Sequence, residues 1–464
     1  MLKLLFLLLM TGGVPVAVAM AGSSLIYILI TGNLPAFAVV HRMVSGVDSF
    51  PLLAVPFFIF AGNLMNNAGI TNRIYAFALA LVGWFKGGLG HVNVVGSVVF
   101  AGMSGTAIAD AAGLGTIEIK AMKDHGYSSE FAVGVTAASA TLGPIIPPSL
   151  PFVIYGMMAN VSVGALFLAG ILPGIIMALL MMFTVAFFAH RHGWGSDVRF
   201  DRVRFFKAIL ESVVVAAWPL GIWLMITQAG THPQWTVATG LAILFICDRL
   251  FRFQAVLPIM TPVLLIGGMT TGLFTPTEGA IAACVWAIVL GLVWYRTLSL
   301  RALLKISLDT VETTATVLFI VAAASIFGWM LTATGVTAAI SSWVLEFTKE
   351  PWVFLLLANI LMLFVGCFLE PTAAITILVP ILVPICQQLG IDLVHFGLIM
   401  VLNLMIGLLH PPMGMVLFVL ARVAQLSVER TTMAILPWLF PLLFSLAVLT
   451  YVPQLVLWLP KKFY

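Results

Sequence analysis

The chain has 464 residues, 62% of them hydrophobic and 8% charged, with a formal net charge of +4, whereas ordinary soluble domains carry roughly 25% charged residues. This excludes a soluble globular protein. Apolar runs of helical span length, in place of short segments of alternating polarity, also exclude a β-barrel and predict an all-α polytopic membrane protein.

The first apolar run, Leu4 to Ile30, resembles the hydrophobic region of a signal peptide after Lys3. It continues too long and lacks a clear small-residue cleavage site, so it is expected as a retained outward span. A second span is expected from Pro51 to Ala68. The moderately apolar segment Thr71–Gly88, with Arg73 and Lys86, suits an arm lying along the interface. The stretch from His91 to His125 is rich in Gly, Ala, Ser and Thr, carries Asp110 and Glu118, and reads as a re-entrant hairpin. A broken span from Glu130 to Asn160 and a span from Val163 to Ala189 complete a first half.

Three basic clusters set the orientation. Arg191, Arg199, Arg202, Arg204 and Lys207 form the first, Arg249 and Arg252 the second, and Arg296, Arg301 and Lys305 the third. The positive-inside rule places all of them in the cytoplasm. Three shorter apolar stretches between Ser212 and Phe274 then read as three crossings, expected at the periphery or against a partner. The second half brings spans at Pro276–Trp294 and Val311–Leu331, an arm at Thr337–Lys349 and a hairpin at Trp352–Gly390. A broken span, His395–Gln425, and a last span, Thr431–Leu457, follow. About eleven spans and two re-entrant hairpins result, with the N-terminus cytoplasmic and the C-terminus periplasmic. The regions are 1–90 (first scaffold and arm), 91–189 (first hairpin and broken helix), 190–275 (basic linker and inserted spans), 276–350 (second scaffold and arm) and 351–464 (second hairpin and broken helix). Cys247, Cys284, Cys367 and Cys386 are scattered without CxxC spacing, which disfavours a disulfide framework or a zinc site.

The broken spans carry GPIIPPSLP from Gly143 and GLLHPPMGM from Gly407, 264 residues apart and in one register. Proline removes a backbone donor and clashes with the preceding turn, so a Pro-Pro pair interrupts an apolar helix and frees carbonyls. Irregular backbone at membrane depth survives only inside protein or along a cavity, and paired interruptions in matching halves mark the binding region of secondary transporters. With the same offset Gly102 falls on Gly366, Gly126 on Gly390, and Ile171-Leu172-Pro173 on Ile435-Leu436-Pro437. The span count starts the first copy inside and the second outside. That is an inverted repeat.

Sodium needs several oxygen ligands, which hydroxyls, freed carbonyls and the negative ends of half-helices supply without a buried charge. One sodium site is expected between Ser104, Gly105 and Thr106 of the first hairpin and Gly143, Pro144 and Pro147 of the first break. A second is expected between Gly366, Glu370 and Thr372 and the break at Gly407 and Pro411. Asp110, Thr141, Ser149, His410 and Arg422 are candidate substrate contacts. Each has a plainer reading. Small residues in membrane helices usually serve packing; Asp110 and Glu278 could cap helices, the latter in a TPTEG run; His410 could be a satisfied core histidine. No GK dipeptide, HExxH or GxSxG occurs, so an ATP-driven motor is excluded and an intramembrane hydrolase disfavoured.

The run GMSGTAIADAAGLGTIEIKAMKDHGYSSEFAVGVTAASATLGPIIPPSLPFVIYGMMANVSVGALFLAGILPG resembles the large membrane subunit of tripartite ATP-independent periplasmic (TRAP) transporters. So do HFGLIMVLNLMIGLLHPPMGMVLFV and FPLLAVPFFIFAGNLMNNAGIT. The resemblance implies a sodium-coupled, elevator-type importer of the ion-transporter superfamily in the bacterial inner membrane, and no enzyme. Implied partners are a small four-helix membrane subunit and a periplasmic binding protein that delivers an organic acid. It also implies that the two hairpin–break pairs hold the sodium ions. Two departures stand out. His410 occupies a position where the family usually has Thr, and three stretches join the halves where the family generally has one span. A stand-alone sodium-dicarboxylate symporter is the alternative within transport, a membrane enzyme or an assembly scaffold the alternative outside it.

Overall fold

In a computed structural model the chain is described apart from residues 33, 229–239, 247, 250–252, 254, 271–273, 411–413 and 464; the side chains of residues 104, 109, 219–228 and 270 are also outside the description. The described residues are helical with irregular connections, and six helices are long and apolar enough to cross a membrane.

The first half runs α1 (Leu2–Thr11), α2 (Val16–Thr31), α3 (Phe37–Val47), a single 3-10 turn (Phe50–Leu53), α4 (Ala54–Asn67) and α5 (Ile70–Val82). The first hairpin follows as α6 (Gly88–Ser104), α7 (Ala107–Ala112) and α8 (Leu114–Asp124), then the broken span as α9 (Ser129–Ala140) and α10 (Leu150–Ala159), then α11 (Val163–His192). Between the halves lie α12 (Arg202–Gln228) and α13 (Val256–Thr270). The second half comprises α14 (Pro276–Ile288, extended by a π-turn to Trp294), α15 (Leu300–Ala333), α16 (Val336–Phe347), α17 (Pro351–Gly366), α18 (Pro371–Gln388), α19 (Leu393–Gly407), α20 (Met415–Ala424) and α21 (Val428–Tyr451).

The repeat extends to backbone punctuation. Hairpin-to-crossover turns use Gly126 (φ 85) and Gly390 (φ 68), the arms begin after Gly69 and Gly335 (both φ 71), and α10 and α20 end on Asn160 (φ 55) and Gln425 (φ 57). All six adopt the left-handed conformation that ends helices or opens new ones, where the lack of a Cβ favours glycine. Ser128 and Asp392 cap α9 and α19 through bonds from Phe131 N and Val394 N.

The halves interlock reciprocally. Helix α4 packs on α14 and α15 on α2, while α10 packs on α18 and α20 on α7 and α8, so each broken span leans on the opposite hairpin. α9 and α19 are innermost: every residue from Phe131 to Ala140 and from His395 to Gly407 is buried.

Three elements differ from the sequence expectation. The run Leu4–Ile30 is two helices, α1 and α2, broken at Gly12–Pro15, where Gly13 has φ 79. The Pro51–Ala68 span is preceded by α3, so residues 37–67 form a broken counterpart of the continuous 34-residue α15, whose expected span covered only its C-terminal part. Pro51 opens the extra turn after Ser49, which is extended at φ −140. The inserted region is not wholly peripheral either. Ala255, Val256, Leu257 and Met260 are fully buried, and the Pro262 ring lies against Gly102, where a Cβ would come within 2.8 Å. All three expected crossings fall partly on residues outside the description.

Candidate functional site: two hairpin–crossover junctions

At the first junction, Gly105 (φ +64) turns the chain between α6 and α7, and a Cβ there would stand 2.8 Å from Pro148 O. A Cβ on Gly143 would stand 2.5 Å from Asp110 Oδ2 and 3.3 Å from Thr106 O. Only glycine at both positions lets the hairpin tip and the interrupted span touch through backbone. The juncture thereby brings together the carbonyls of Thr106 and Pro148 and the buried carboxyl group of Asp110.

The half-helices end here. Thr141 closes α9, its hydroxyl donating to Ala138 O at 2.6 Å. Ser149 caps α10 and accepts from Phe152 N at 3.3 Å. Pro144 and Pro147 are buried between them, and the Pro147–Pro148 peptide is cis. A C-terminal carbonyl end and an N-terminal amide end of opposite partial charge therefore meet at one break. The side chain of Ser104, the last residue of α6, is outside the description.

At the second junction Gly366 ends α17 against Gly407: a Cβ on Gly407 would lie 2.6 Å from Gly366 Cα and 3.0 Å from its carbonyl oxygen. Glu370 caps α18, accepting from Ala373 N at 3.2 Å and from the Thr372 hydroxyl at 2.9 Å. Its carboxylate thus serves a helix N-terminus, half-buried, with Thr372 buried beside it. His410 is half-buried just past the break, its amide donating to Gly407 O at 3.0 Å, and Pro411 lies outside the described residues.

The geometry therefore gathers Gly105, Thr106, Asp110, Thr141, Gly143, Pro144, Pro147 and Ser149 at one junction and Gly366, Glu370, Thr372, Gly407 and His410 at the other. Arg422 is apart from both, exposed in the last turn of α20. Glu278 does cap its helix: Thr275 and Glu278 form a reciprocal box at 2.7 and 3.3 Å.

One set of buried polar groups was given no role from the sequence. Asn93, Glu118, Thr136 and Ser139 join α6, α8 and α9 by bonds of 2.6, 2.8 and 2.7 Å. Asn359, Asn403 and Thr450 do the same for α17, α19 and α21 at 2.8 and 3.1 Å. Ser139 and Asn403 occupy equivalent positions under the 264-residue offset. A scan of the repeat for polar residues, and not only for helix breakers, would have found them.

The described residues form a helical fold of two interlocked copies, each with a hairpin and an interrupted helix. Two solved transporters share it at the level of fold. They are YdaH of Alcanivorax borkumensis (TM-score 0.61, 14% identity, 91% of this chain and 88% of that one) and MtrF of Neisseria gonorrhoeae (0.58, 13%, 91% and 84%).

The family profile described as "Tripartite ATP-independent periplasmic transporter, DctM component" matches residues 3–455, and the chain belongs to that family of large permease subunits. It is a transporter component and not an enzyme. It is 40% identical over 455 residues to the sialic acid TRAP transporter large permease protein SiaM of Vibrio cholerae (98% of this chain, 96% of the relative). To the sialic acid TRAP transporter permease protein SiaT of Haemophilus influenzae it is 37% identical over 458 residues (99% and 67%). To the C4-dicarboxylate large permease DctM of Rhodobacter capsulatus it is 32% identical over 471 residues (98% and 97%).

Proposed function

We propose that this chain is the membrane-crossing subunit of a sodium-driven importer that moves an organic acid across the bacterial inner membrane. A periplasmic binding protein would deliver the substrate, and a small membrane subunit would brace the arms. The observation that carries the reading is the pair of hairpin–crossover junctions, repeated 264 residues apart. Each presents backbone oxygens and half-helix ends inside protein, the chemistry that takes a cation at membrane depth.

In this reading Thr106, Pro148, Asp110 and Ser104 take one sodium ion, and the Gly366–Thr372 tip with the Gly407–Pro411 break takes the other. Sodium binding holds each hairpin tip on its broken span. It thereby favours the state that receives a carboxylate at the half-helix N-termini, among them that of α10 capped by Ser149. The hairpin–crossover body then moves past the arms as an elevator. With the basic clusters inside, the two copies run in opposite directions, the N-terminus is cytoplasmic and the C-terminus periplasmic. Sialic acid and C4-dicarboxylates, named for the relatives, are the substrates to try first.

The test is uptake of labelled N-acetylneuraminate and succinate into proteoliposomes holding the complex with its small subunit. Uptake is expected only with an inward sodium gradient and the binding protein outside. Uptake indifferent to sodium would remove the coupling claim, and uptake indifferent to the binding protein the delivery claim.

A further inference from the structure

The first hairpin contains an acid that neither junction uses. Glu118 on α8 is 2% exposed, its Oε2 lies 2.6 Å from the Asn93 amide, and its Oε1 has no hydrogen-bond partner among the described residues. Oε1 faces Gly96 of α6, where a Cβ would stand 2.8 Å away. Neither of the ion pairs among the described residues involves Glu118; they are Arg204–Asp201 and Arg430–Glu130.

The titratable groups around it supply no paired cation among the described residues. On α7 the nearest is Asp110, itself buried, and on α5 it is Tyr75. On α6, His91 turns to the Phe85 ring at 5.5 Å. On α9, Glu130 is engaged with Arg430 at the far end. On α8 itself Lys123 reaches Ala424 O at 3.3 Å, and Arg422 on α20 is exposed. An ionised carboxylate buried without a cation is strongly disfavoured.

The hydrogen-bond geometry suggests how the charge is removed. Glu118 Oε2 and the Asn93 amide are 2.6 Å apart, a contact that either group can donate, depending on the protonation of Glu118 and the orientation of the amide. An amide turned by half a revolution about its last bond exchanges oxygen and nitrogen at nearly unchanged distances. Asn93 then accepts from the carboxylic acid of Glu118 and from the Thr136 hydroxyl at 2.8 Å, and donates to Ser139 Oγ at 2.7 Å. The Ser139 hydrogen is thereby released for Thr136 O, 3.2 Å away. With an ionised Glu118, one serine hydrogen must serve both Asn93 and Thr136 O.

A metal ion fits this place poorly. No group of three His, Cys, Asp or Glu among the described residues could hold a metal ion here. The other half supplies a neutral comparison: Glu118 and Asp110 correspond to Leu382 and Ala374, yet Asn359 and Asn403 still join hairpin to crossover. Packing of the hairpin does not need the acid.

We propose that Glu118 is a proton-binding site, carrying a proton that it donates in a hydrogen bond to Asn93 and so fastening the first hairpin to its crossover. Loss of that proton removes the donor and leaves a buried charge, so the hairpin loosens at alkaline pH.

Infrared difference spectroscopy of the reconstituted complex, wild type minus Glu118→Gln, tests this without any transport assay. A protonated-carboxyl C=O stretch at neutral pH that vanishes reversibly on alkalinisation is expected; its absence overturns the proposal. If Glu118→Gln cannot be purified, Glu118→Leu, which copies Leu382, serves for the same subtraction. The uptake assay adds a second readout and rests on the transport reading. Wild-type uptake should fall about tenfold per pH unit beyond its alkaline midpoint, as for a single titrating group. Glu118→Gln, whose amide can still donate to Asn93, should keep the neutral rate and lose that limb. An unchanged limb, or a folded but inactive Glu118→Gln protein, overturns the proposal. Failure of uptake in every protein with the infrared band present counts against the transport reading alone.

Discussion

The two junctions do the same mechanical job with different chemistry. The first has a buried acid, Asp110, at its break and another, Glu118, behind it between hairpin and crossover, while the second half has Ala374 and Leu382 in those places and an acid, Glu370, that caps α18. The shared part is backbone against backbone, through Gly105 and Gly143 in one half and Gly366 and Gly407 in the other. Close approach is therefore the property the repeat imposes, and charge is a property one copy adds. The scaffold is repeated and its chemistry is not.

The largest effect should come from prising a junction apart. Gly407→Val inserts side chain where even a Cβ would lie 2.6 Å from Gly366 Cα, and overpacking of this kind costs about 1–3 kcal/mol or more. We expect a marked drop in the thermal midpoint of the purified complex and no measurable uptake. Gly390→Ala provides the contrast. Its Cβ meets nothing within 4 Å, so only the left-handed φ of 68 matters, at about 1–2 kcal/mol, and uptake should persist. Equal loss of uptake in both proteins would show that close approach is not what the junction requires.

Second in size is the charge of the first junction. Asp110→Ala copies Ala374 and should reduce sodium-stimulated uptake by at least about tenfold, or roughly 1.4 kcal/mol, with little change in thermal midpoint. A protein that keeps full sodium stimulation would place the cation elsewhere. Third, Asn403→Ala removes the centre of the neutral network and strands Asn359, both buried, a loss of about 1–3 kcal/mol. It should lower the thermal midpoint and leave the sodium concentration for half-maximal uptake unchanged. A shift in that concentration would mean that the second network also tunes the ion.

Much of this arrangement was legible in the sequence because helix breakers act locally. Pro147-Pro148, Gly126 and Gly390 interrupt or turn the chain locally, and so α6, α9, α17 and α19 begin within a few residues of the expected segments. Other features depend on partners distant in the chain. Nothing local reveals that Pro262 nests on Gly102, so α13 belongs beside the first hairpin and not at the periphery. The Gly12–Pro15 break was masked by the apolar run around it, since hydropathy measures burial and not continuity. Glu370 is legible as an acid at the hairpin tip, while its bond from Ala373 N depends on where the helix starts after Pro371. Glu118 was visible as an acid in a small-residue segment. Its role waits on Asn93, 25 residues away on another helix.

The smallest expected effect lies where the halves meet outside the junctions. Glu130 at the start of α9 and Arg430 at the start of α21 form an ion pair on the rim of a cleft of about 490 Å³ also lined by Phe131, Phe188, Trp194 and Trp438. The side chains are 37% and 66% exposed, so water screens the charges and the pair is worth about 0.2–1 kcal/mol. The packing below it is a different matter. Trp438 is 1% exposed and lies 5.7 Å from the rings of both Phe131 and Phe188, and Gly134 admits its indole, whose Nε1 would be 2.5 Å from a Cβ there. A double-mutant cycle of Glu130→Ala and Arg430→Ala, read as thermal midpoint, should give a coupling that fades as salt rises, because screening acts on the pair and not on the aromatic contacts. A coupling above the surface range that still fades with salt would mean that the pair, and not the aromatic layer, fastens α9 to α21, and the two halves would then be joined electrostatically on this face.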